Sequence, residues 1–227
     1  MNKYCIISVS SYFKKKIKKK NFFFFNKKES INIKKIKKIN PKIIFVPHWN
    51  WKIPKEIFEN YLTIGFHATP LPYGRGGSPV QNMIIRGFGK TKICAIKLTN
   101  KIDAGPIYLK KSMTLSGNGD EIFLRIYRKT LEMIKFIIKK IPKEKKQLGK
   151  ITYFTRRRPE ESKLDFNQKN ILKVYNFIRM LDINIIKNFP KSFVEIGEYK
   201  IKFYNPRVLK NKNKKIICNV EISKLSR

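Results

Sequence analysis

The sequence is poor in acidic residues and in alanine. Only 15 of its 227 residues are Asp or Glu, against 52 Lys or Arg, which gives a formal net charge of +37. A protein surface with this excess of positive charge attracts phosphate chains and other anions. However, the three alanines (Ala68, Ala95 and Ala104) stand among an excess of Lys, Ile, Asn and Phe, whose codons are A/T-rich. We therefore expect a base-biased genome to account for most of the lysines, with nucleic-acid binding as the alternative.

Cysteine, histidine and long apolar runs are also scarce. The three cysteines, Cys5, Cys94 and Cys218, lie far apart and form no CxxC pair, which argues against a disulfide framework or a zinc cluster. With His48 and His67 as the only histidines, we expect no metal site. Since no apolar run approaches about 18 residues and the N-terminal run is too short for a signal peptide, we expect a cytoplasmic protein without a membrane partner.

The first two-thirds of the chain alternates apolar runs of strand length with helical patterns. Hydrophobic residues make up 42% of the sequence, enough for a core. A helix with Ile at helical spacing begins near Ile31 and is expected to be capped by Ser30. Such alternation predicts an α/β protein with a Rossmann-like, mostly parallel sheet. The expected strands are Tyr4 to Val9, Phe22 to Phe25, Ile43 to Pro47, Leu62 to Phe66, Lys92 to Leu98 and Pro106 to Leu115.

The second half of this region contains two further predicted helices. After it, the regular alternation of strand and helix patterns ends. One helix covers Pro79 to Arg86, and a long one runs from Asp120 to about Ile141 with Asn118 as its cap. After Pro142 come a polar linker, a helix over 167–181 and several short strands over 193–222. We therefore divide the chain into a main catalytic domain, residues 1–150, and a small α+β C-terminal subdomain, residues 151–227.

Two residues suited to proton transfer follow predicted strands. His67 stands where a strand gives way to a loop rich in Gly and Pro, and Asp103 occupies the turn in LTNKIDAGPIY. Open α/β sheets bind ligands at such strand ends. A carboxylate beside an imidazole raises its basicity and fixes its tautomer. Spacing alone leaves two readings open, a catalytic pair or a hydrogen-bonded structural histidine.

The segments FHATPLPYGRGGSPVQNMIIRG and LTNKIDAGPIY resemble the formyltransferase family that uses 10-formyltetrahydrofolate. This family includes methionyl-tRNA, glycinamide ribonucleotide and sugar-nucleotide N-formyltransferases. A fainter resemblance continues through RRRPEESKLDF and YNFIRMLD, whereas the first 40 residues are not covered, so the sheet is expected to be shortened at its N-terminal end. The residues that match the family pattern are His67, Thr69, Leu71, Pro72, Arg75, Gly76, Pro79, Asp103, Gly105 and Pro106.

The resemblance implies acyl transfer from 10-formyltetrahydrofolate, a co-substrate, to a primary amine. In that reaction His67 shuttles the proton and Asp103 polarises His67 or relays the proton. The donor is expected beside the segment HWNWKIP, where Trp49 and Trp51 offer apolar faces, although plain packing is an equal alternative for both. The donor-binding set implied is Trp49, Pro54, Thr69, Leu71 and Pro72.

The acceptor is expected near the Arg-Gly pair. Arg75, with Gly76 and Gln81, is the candidate acceptor-binding set, and Arg75 suits a phosphate or carboxylate. A salt bridge that fixes the loop is the alternative for Arg75.

One position departs from the family pattern. The family places Asn two residues before the histidine, and this chain has Gly65 there. That amide is thought to stabilise the oxyanion, and losing such a donor costs roughly hundreds-fold in rate. Candidates for a replacement are Asn82, Gln81 and Asn50, with Asn82 as the first choice. The alternative is impaired activity.

The sequence leaves the acceptor and the oligomeric state open. The 77 residues after position 150 are too few for a linker and a full tRNA-holding barrel, which favours a nucleotide-linked amino sugar as the expected acceptor. The net charge favours the alternative acceptor, initiator methionyl-tRNA. A third possibility from another class is a non-catalytic nucleic-acid-binding module that uses the lysine-rich stretches Lys14 to Lys20 and Lys210 to Lys215.

Overall fold

The computed structural model describes residues 1–167, 170–209 and 215–225. The α-helices are α1 (Tyr12–Lys16), α2 (Ile33–Ile39), α3 (Lys55–Asn60), α4 (Pro79–Ile85), α5 (Gly119–Lys139) and α6 (Ile171–Leu181). The strands are β1 (Tyr4–Ile7), β2 (Phe22–Phe25), β3 (Ile43–Val46), β4 (Thr63–His67), β5 (Arg75–Gly76), β6 (Lys90–Lys97), β7 (Ile107–Thr114), β8 (Tyr153–Phe154), β9 (Phe193–Ile196), β10 (Tyr199–Leu209) and β11 (Lys215–Lys224). Most of the Lys210 to Lys215 stretch and the predicted helix residues 168–169 lie outside the described residues.

The chain forms two compact units. The first contains residues 1–76, 92–113 and 125–153, and the second contains residues 77–91, 114–124 and 154–227. Most of the predicted catalytic domain therefore falls in the first unit, and residues from position 154 onwards fall in the second. Both segments 77–91 and 114–124 are grouped with the C-terminal residues, although they precede position 150 in the sequence.

A six-stranded sheet dominates the first unit, with strand order β2-β1-β3-β4-β6-β7. The pairs β1–β2, β1–β3 and β3–β4 are parallel, while β4–β6 is antiparallel. The prediction of a mostly parallel α/β sheet is confirmed. Parallel strands place the residues that follow them at one edge of the sheet, so the loops after β3 and β4 are neighbours.

The central strands form because their residues are apolar without interruption. All four residues of β1 and of β3 are buried, as expected for strands covered on both faces. Ile36 of α2 packs into the same cluster as Ile7 and Ile44. The predicted cap of this helix is wrong, because the Asn32 side chain accepts the hydrogen bond from Lys35 N at 2.9 Å. Ser30 instead ends a short 3-10 helix.

The second unit contains a three-stranded antiparallel sheet in the order β11-β10-β9. The prediction of several short strands is wrong here, because β10 and β11 are 11 and 10 residues long. They pair along their length, with one irregularity between Tyr204 and Arg207. Helix α6 supplies Val174 and Ile178 to the core of this sheet. No helix among the described residues is long and apolar enough to cross a bilayer.

Helix α5 begins with the predicted cap. Asn118 Oδ1 accepts from Glu121 N at 2.9 Å, and Glu121 Oε2 accepts from Asn118 N at 3.0 Å. This reciprocal pair satisfies two backbone donors that the first helical turn leaves unbonded. The prediction that Asn118 caps the long helix is confirmed.

Candidate functional site

His67 is the last residue of β4 and is buried in the first unit. Its ring nitrogen Nε2 lies 2.7 Å from the carbonyl oxygen of Gly74. Its other ring nitrogen, Nδ1, lies 3.3 Å from Asp103 Oδ2. Both neighbours are hydrogen-bond acceptors, so a neutral imidazole can donate to only one of them. The structure thus brings together the two residues proposed for proton transfer.

Asp103 is held in place by the turn that contains it. Its backbone has φ of 50°, in the left-handed region, and its Oδ2 accepts a hydrogen bond from Gly76 N at 2.9 Å. Two residues on, Gly105 runs so close to β6 that a Cβ atom there would overlap the backbone oxygen of Lys97. Glycine is therefore required at position 105 for this turn to lie against the sheet.

Arg75 is buried, with only 7% of its surface exposed. Its guanidinium donates to Gln147 Oε1 from Nε at 3.2 Å and from Nη2 at 2.8 Å. Among the described residues, no carboxylate lies within ion-pair distance of Arg75, so the salt-bridge alternative is not what fixes the loop. The buried guanidinium therefore has a neutral amide as its hydrogen-bond partner, and its binding of an acceptor stays a prediction.

The loop between His67 and Arg75 is held by hydrogen bonds that its backbone carbonyls accept from side chains of the neighbouring strands. Thr69 and Leu71 are completely buried. Thr69 O accepts from Cys94 Sγ at 3.2 Å, and Leu71 O accepts from Lys110 Nζ at 2.8 Å. The peptide bond between Leu71 and Pro72 is cis. These contacts give Thr69, Leu71 and Pro72 a role in shaping the loop, and their binding of a donor stays a prediction.

The segment after β3 carries the two tryptophans. Their rings meet edge to face, with centroids 4.8 Å apart. Trp49 packs against the core cluster, whereas Trp51 is 44% exposed. Within the described residues, the buried indole Nε1 of Trp49 has no hydrogen-bond partner. Pro54 directly precedes α3 and sets the end of this segment.

His48 differs from His67 in its surroundings. It follows β3 with φ of 51°, and its Nδ1 lies 2.7 Å from the hydroxyl of Tyr127. Burial lowers the pKa of His48 to about 4, because the charged imidazolium is poorly solvated there. His48 is therefore a neutral ring at physiological pH.

Three residues are candidates to replace the missing amide, namely Asn82, Gln81 and Asn50. Asn82 belongs to the second unit, where its Nδ2 donates to the carbonyls of Gly77, Ser78 and Thr155, each at 3.1 Å. Because those bonds engage its amide hydrogens, Asn82 fits the role of a structural brace. Gln81 is buried in the same unit, and Asn50 is exposed in the first.

The position of the missing amide is occupied by another side chain. Gly65 lies in register with Val46 of β3 and Ile96 of β6. A Cβ built on Gly65 would come 2.7 Å from Leu98 Cδ2. Leu98 packs against the same cluster that contains Val46. Leucine 98 therefore fills the space into which a side chain at position 65 would project.

Together, the open sheet and the His67–Asp103 pair define a Rossmann-like α/β protein with a buried histidine beside a carboxylate. Residues 159–223 match the family model described as the methionyl-tRNA formyltransferase C-terminal domain. A methionyl-tRNA formyltransferase structure from Clostridium thermocellum is 40% identical, with a TM-score of 0.89, and the match covers 99% of this chain and 100% of that one. The chain belongs to the formyltransferase family.

Two further similar proteins are a curated relative and a solved structure. The methionyl-tRNA formyltransferase of Sulfurihydrogenibium sp. is 29% identical over 77% of this chain and 57% of that protein. This chain thus spans somewhat more than half the length of that curated relative. The sugar 3N-formyltransferase WlaRD, solved in the presence of dTDP and 5-N-formyl-THF, shares the fold at 19% identity and a TM-score of 0.61, covering 97% of this chain and 98% of that one.

Sequence reasoning missed two residues of this site. Gln147 lies in a stretch interpreted as a polar linker, and Leu98 in a strand with no assigned role. The sequence offers no local signal for Gln147, since its partners Asp103 and Arg75 are 44 and 72 residues away.

Proposed function

We propose that this chain transfers a formyl group from 10-formyltetrahydrofolate to the α-amino group of methionyl-tRNA. The observation that carries the proposal is the buried His67–Asp103 pair beside Arg75, in a chain 40% identical along its length to a methionyl-tRNA formyltransferase. The amino-sugar acceptor expected from the sequence has weaker support, because the sugar formyltransferase WlaRD is only 19% identical.

The segment from Trp49 to Pro54 fits the folate co-substrate. A pterin ring is flat, with two aromatic faces and a polar edge that carries hydrogen-bond donors and acceptors. Trp49 and Trp51 offer aromatic surface, and the unpartnered Nε1 of Trp49 offers a donor. When bound, the folate supplies a formyl carbon that an amine can attack.

His67 accepts the proton that the attacking amine loses and returns it to N10 of the folate as the bond between N10 and the formyl carbon breaks and tetrahydrofolate leaves. For this, Nε2 must leave its contact with Gly74 O, since that nitrogen is the one not facing Asp103. Asp103 then holds Nδ1–H and stabilises the imidazolium that forms. Since Oδ2 of Asp103 is itself held by Gly76 N, the carboxylate keeps its orientation while the ring changes charge.

Arg75 binds a phosphate of the acceptor. Its guanidinium is buried and has a neutral partner, so an incoming phosphate meets an uncompensated charge in a region of low solvent exposure. The positive surface of the chain as a whole favours the same acceptor, because it attracts a polyanion from solution.

The proposed function is tested by giving the purified chain 10-formyltetrahydrofolate and two alternative acceptors. We expect kcat/KM for methionyl-tRNA to exceed that for a nucleotide-linked amino sugar by about 100-fold or more, since the tRNA adds many phosphate contacts. Methionyl-tRNA with a blocked α-amine is the control. The reverse preference would establish the amino-sugar reading. A folded protein that binds RNA but transfers no formyl group would establish the non-catalytic module.

Restoring the family's amide at position 65 requires room for it. We expect Gly65→Asn alone to lower the free energy of unfolding by about 1–3 kcal/mol, because its Cβ displaces Leu98. In the double variant with Leu98→Ala, the amide has space, and we expect kcat to rise by roughly 10-fold or more if the oxyanion lacks a donor. Thermal unfolding and steady-state kinetics measure the two effects.

Leu98→Ala alone is the control for the double variant, and we expect it to lower stability without raising kcat. A single Gly65→Asn variant as stable as the parent would show that Leu98 yields freely. A fall in kcat in the double variant would show that another group already serves the oxyanion in that space.

A further inference from the structure

Gln147 makes four hydrogen bonds with its amide group. Its Oε1 accepts both bonds from the Arg75 guanidinium, at 3.2 and 2.8 Å. Its Nε2 donates to Asp103 O at 2.7 Å and to Gly105 O at 2.8 Å. One side chain therefore links the turn that carries Asp103 to the arginine assigned to the acceptor. The mechanism given above does not use it.

The directions of these hydrogen bonds require an amide side chain at position 147. Arg75 can only donate, so it needs an acceptor, whereas the two backbone carbonyls need donors. Glutamate at this position would place an oxygen against the carbonyls, and lysine would place a positive charge against Arg75. Neither charged residue can both accept from Arg75 and donate to the two carbonyls. Glutamine does both, because its Oε1 accepts and its Nε2 donates.

The chain that follows Gln147 supports the opposite side of the pair. Thr152 Oγ1 accepts from Gly74 N at 2.7 Å, and Thr152 O accepts from Arg75 N at 3.0 Å. Gly74 is the residue whose carbonyl faces Nε2 of His67. Residues 147–152 thus fix both the loop on one side of His67 and the turn on the other.

We propose that Gln147 is a positioning residue that sets the spacing between the His67–Asp103 pair and Arg75. The inference rests on the proposed function, in which the pair moves the proton and Arg75 holds the acceptor. Gln147 touches neither reacting atom. It acts through the Asp103 turn on one side and through the guanidinium on the other, so the two effects can be separated by substitution.

Two substitutions each preserve one half of the network. Gln147→Glu keeps an acceptor for Arg75 but repels the turn and neutralises the guanidinium, so we expect kcat to fall by about 30-fold and acceptor KM to rise as well. Its added negative charge also shifts the acidic limb of the pH–rate profile to higher pH. Gln147→Lys keeps donors for the turn but repels Arg75, so we expect acceptor KM to rise by about 10-fold with kcat nearly kept.

A second measurement does not depend on catalysis. The chain has only two histidines, so ¹⁵N NMR of the imidazole rings shows His67 and His48 alone. In Gln147→Met, which removes all four hydrogen bonds without adding charge, we expect the His67 signals and their pH titration to change. The His48 signals, from a ring bonded to Tyr127, are the internal control and should stay in place.

The outcomes separate the two proposals. Equal losses of kcat in the Glu and Lys variants, with unchanged His67 signals in Gln147→Met, would overturn the positioning role and leave the proposed function intact. An inactive parent chain with altered His67 signals in Gln147→Met would overturn the proposed function and leave the linkage of Gln147 to the pair intact. Movement of both histidine signals would show general unfolding and overturn the positioning role.

Discussion

We expect His67→Ala to lower formyl transfer by roughly 10²- to 10⁴-fold, the range that a positioned general base contributes. The histidine is buried at the end of β4, and its two ring nitrogens face Gly74 O and Asp103 Oδ2. Removing the ring leaves the attacking amine without a proton acceptor, while the strand and its backbone pairing with β3 and β6 remain. Steady-state kinetics with methionyl-tRNA measures the loss, and far-ultraviolet circular dichroism verifies the fold.

Added imidazole is the control for this variant. A small base that enters the space left by the side chain should recover part of the rate, and the recovery should grow with pH as more imidazole is neutral. Parental activity in His67→Ala would remove His67 from the chemistry. A loss that imidazole does not restore, together with a changed spectrum, would mean that the ring supports the fold instead.

Gly105→Ala has the second largest expected effect, although it changes one hydrogen atom for a methyl group. The new Cβ would overlap the Lys97 carbonyl, which belongs to the rigid backbone of β6. The turn must therefore move away from the sheet and take Asp103 with it. We expect kcat to fall by about 100-fold, as for a catalytic group misplaced by about 1 Å. The free energy of unfolding should fall by about 1–3 kcal/mol.

Gly89→Ala is the matched control, because nothing lies within 4 Å of the added Cβ there. It introduces the same methyl group in open space, so its kinetics and thermal stability should match the parent's. Parental activity in Gly105→Ala would show that the turn can shift without disturbing Asp103. An equal loss in both variants would mean that the effect is not specific to this turn.

The candidate proton-transfer residues His67 and Asp103 could be predicted because the segments that carry them resemble the formyltransferase pattern. His67 follows a buried strand, and Asp103 lies in a turn between two strands. Because β6 runs antiparallel to β4, strand ends alone do not bring Asp103 to His67, and the fold of the turn after β6 completes the pair. The capping of α5 by Asn118 is local, since its partner is three residues away.

Two predictions failed for the same physical reason, namely that local signals leave alternatives of nearly equal energy. Ser30 and Asn32 are both good N-caps, and the packing of Ile36 in the core decides that the helix begins after Asn32. In the C-terminal region, alternating Lys and Ile residues indicate strands but not their lengths. Pairing of β10 with β11 extends both strands beyond the short segments expected.

The sequence by itself determined the α/β class, the strand that ends in His67 and the turn that carries Asp103, because apolar periodicity and turn residues act over a few positions. Only the tertiary structure decided that Leu98 fills the space beside Gly65 and that Gln147 joins Arg75 to the Asp103 turn. These contacts join residues 33 to 72 positions apart, and hydrogen bonds and close packing at such separations depend on the folded backbone. The sequence motifs therefore predicted which residues form the candidate site. The contacts that position those residues relative to one another depend on the fold.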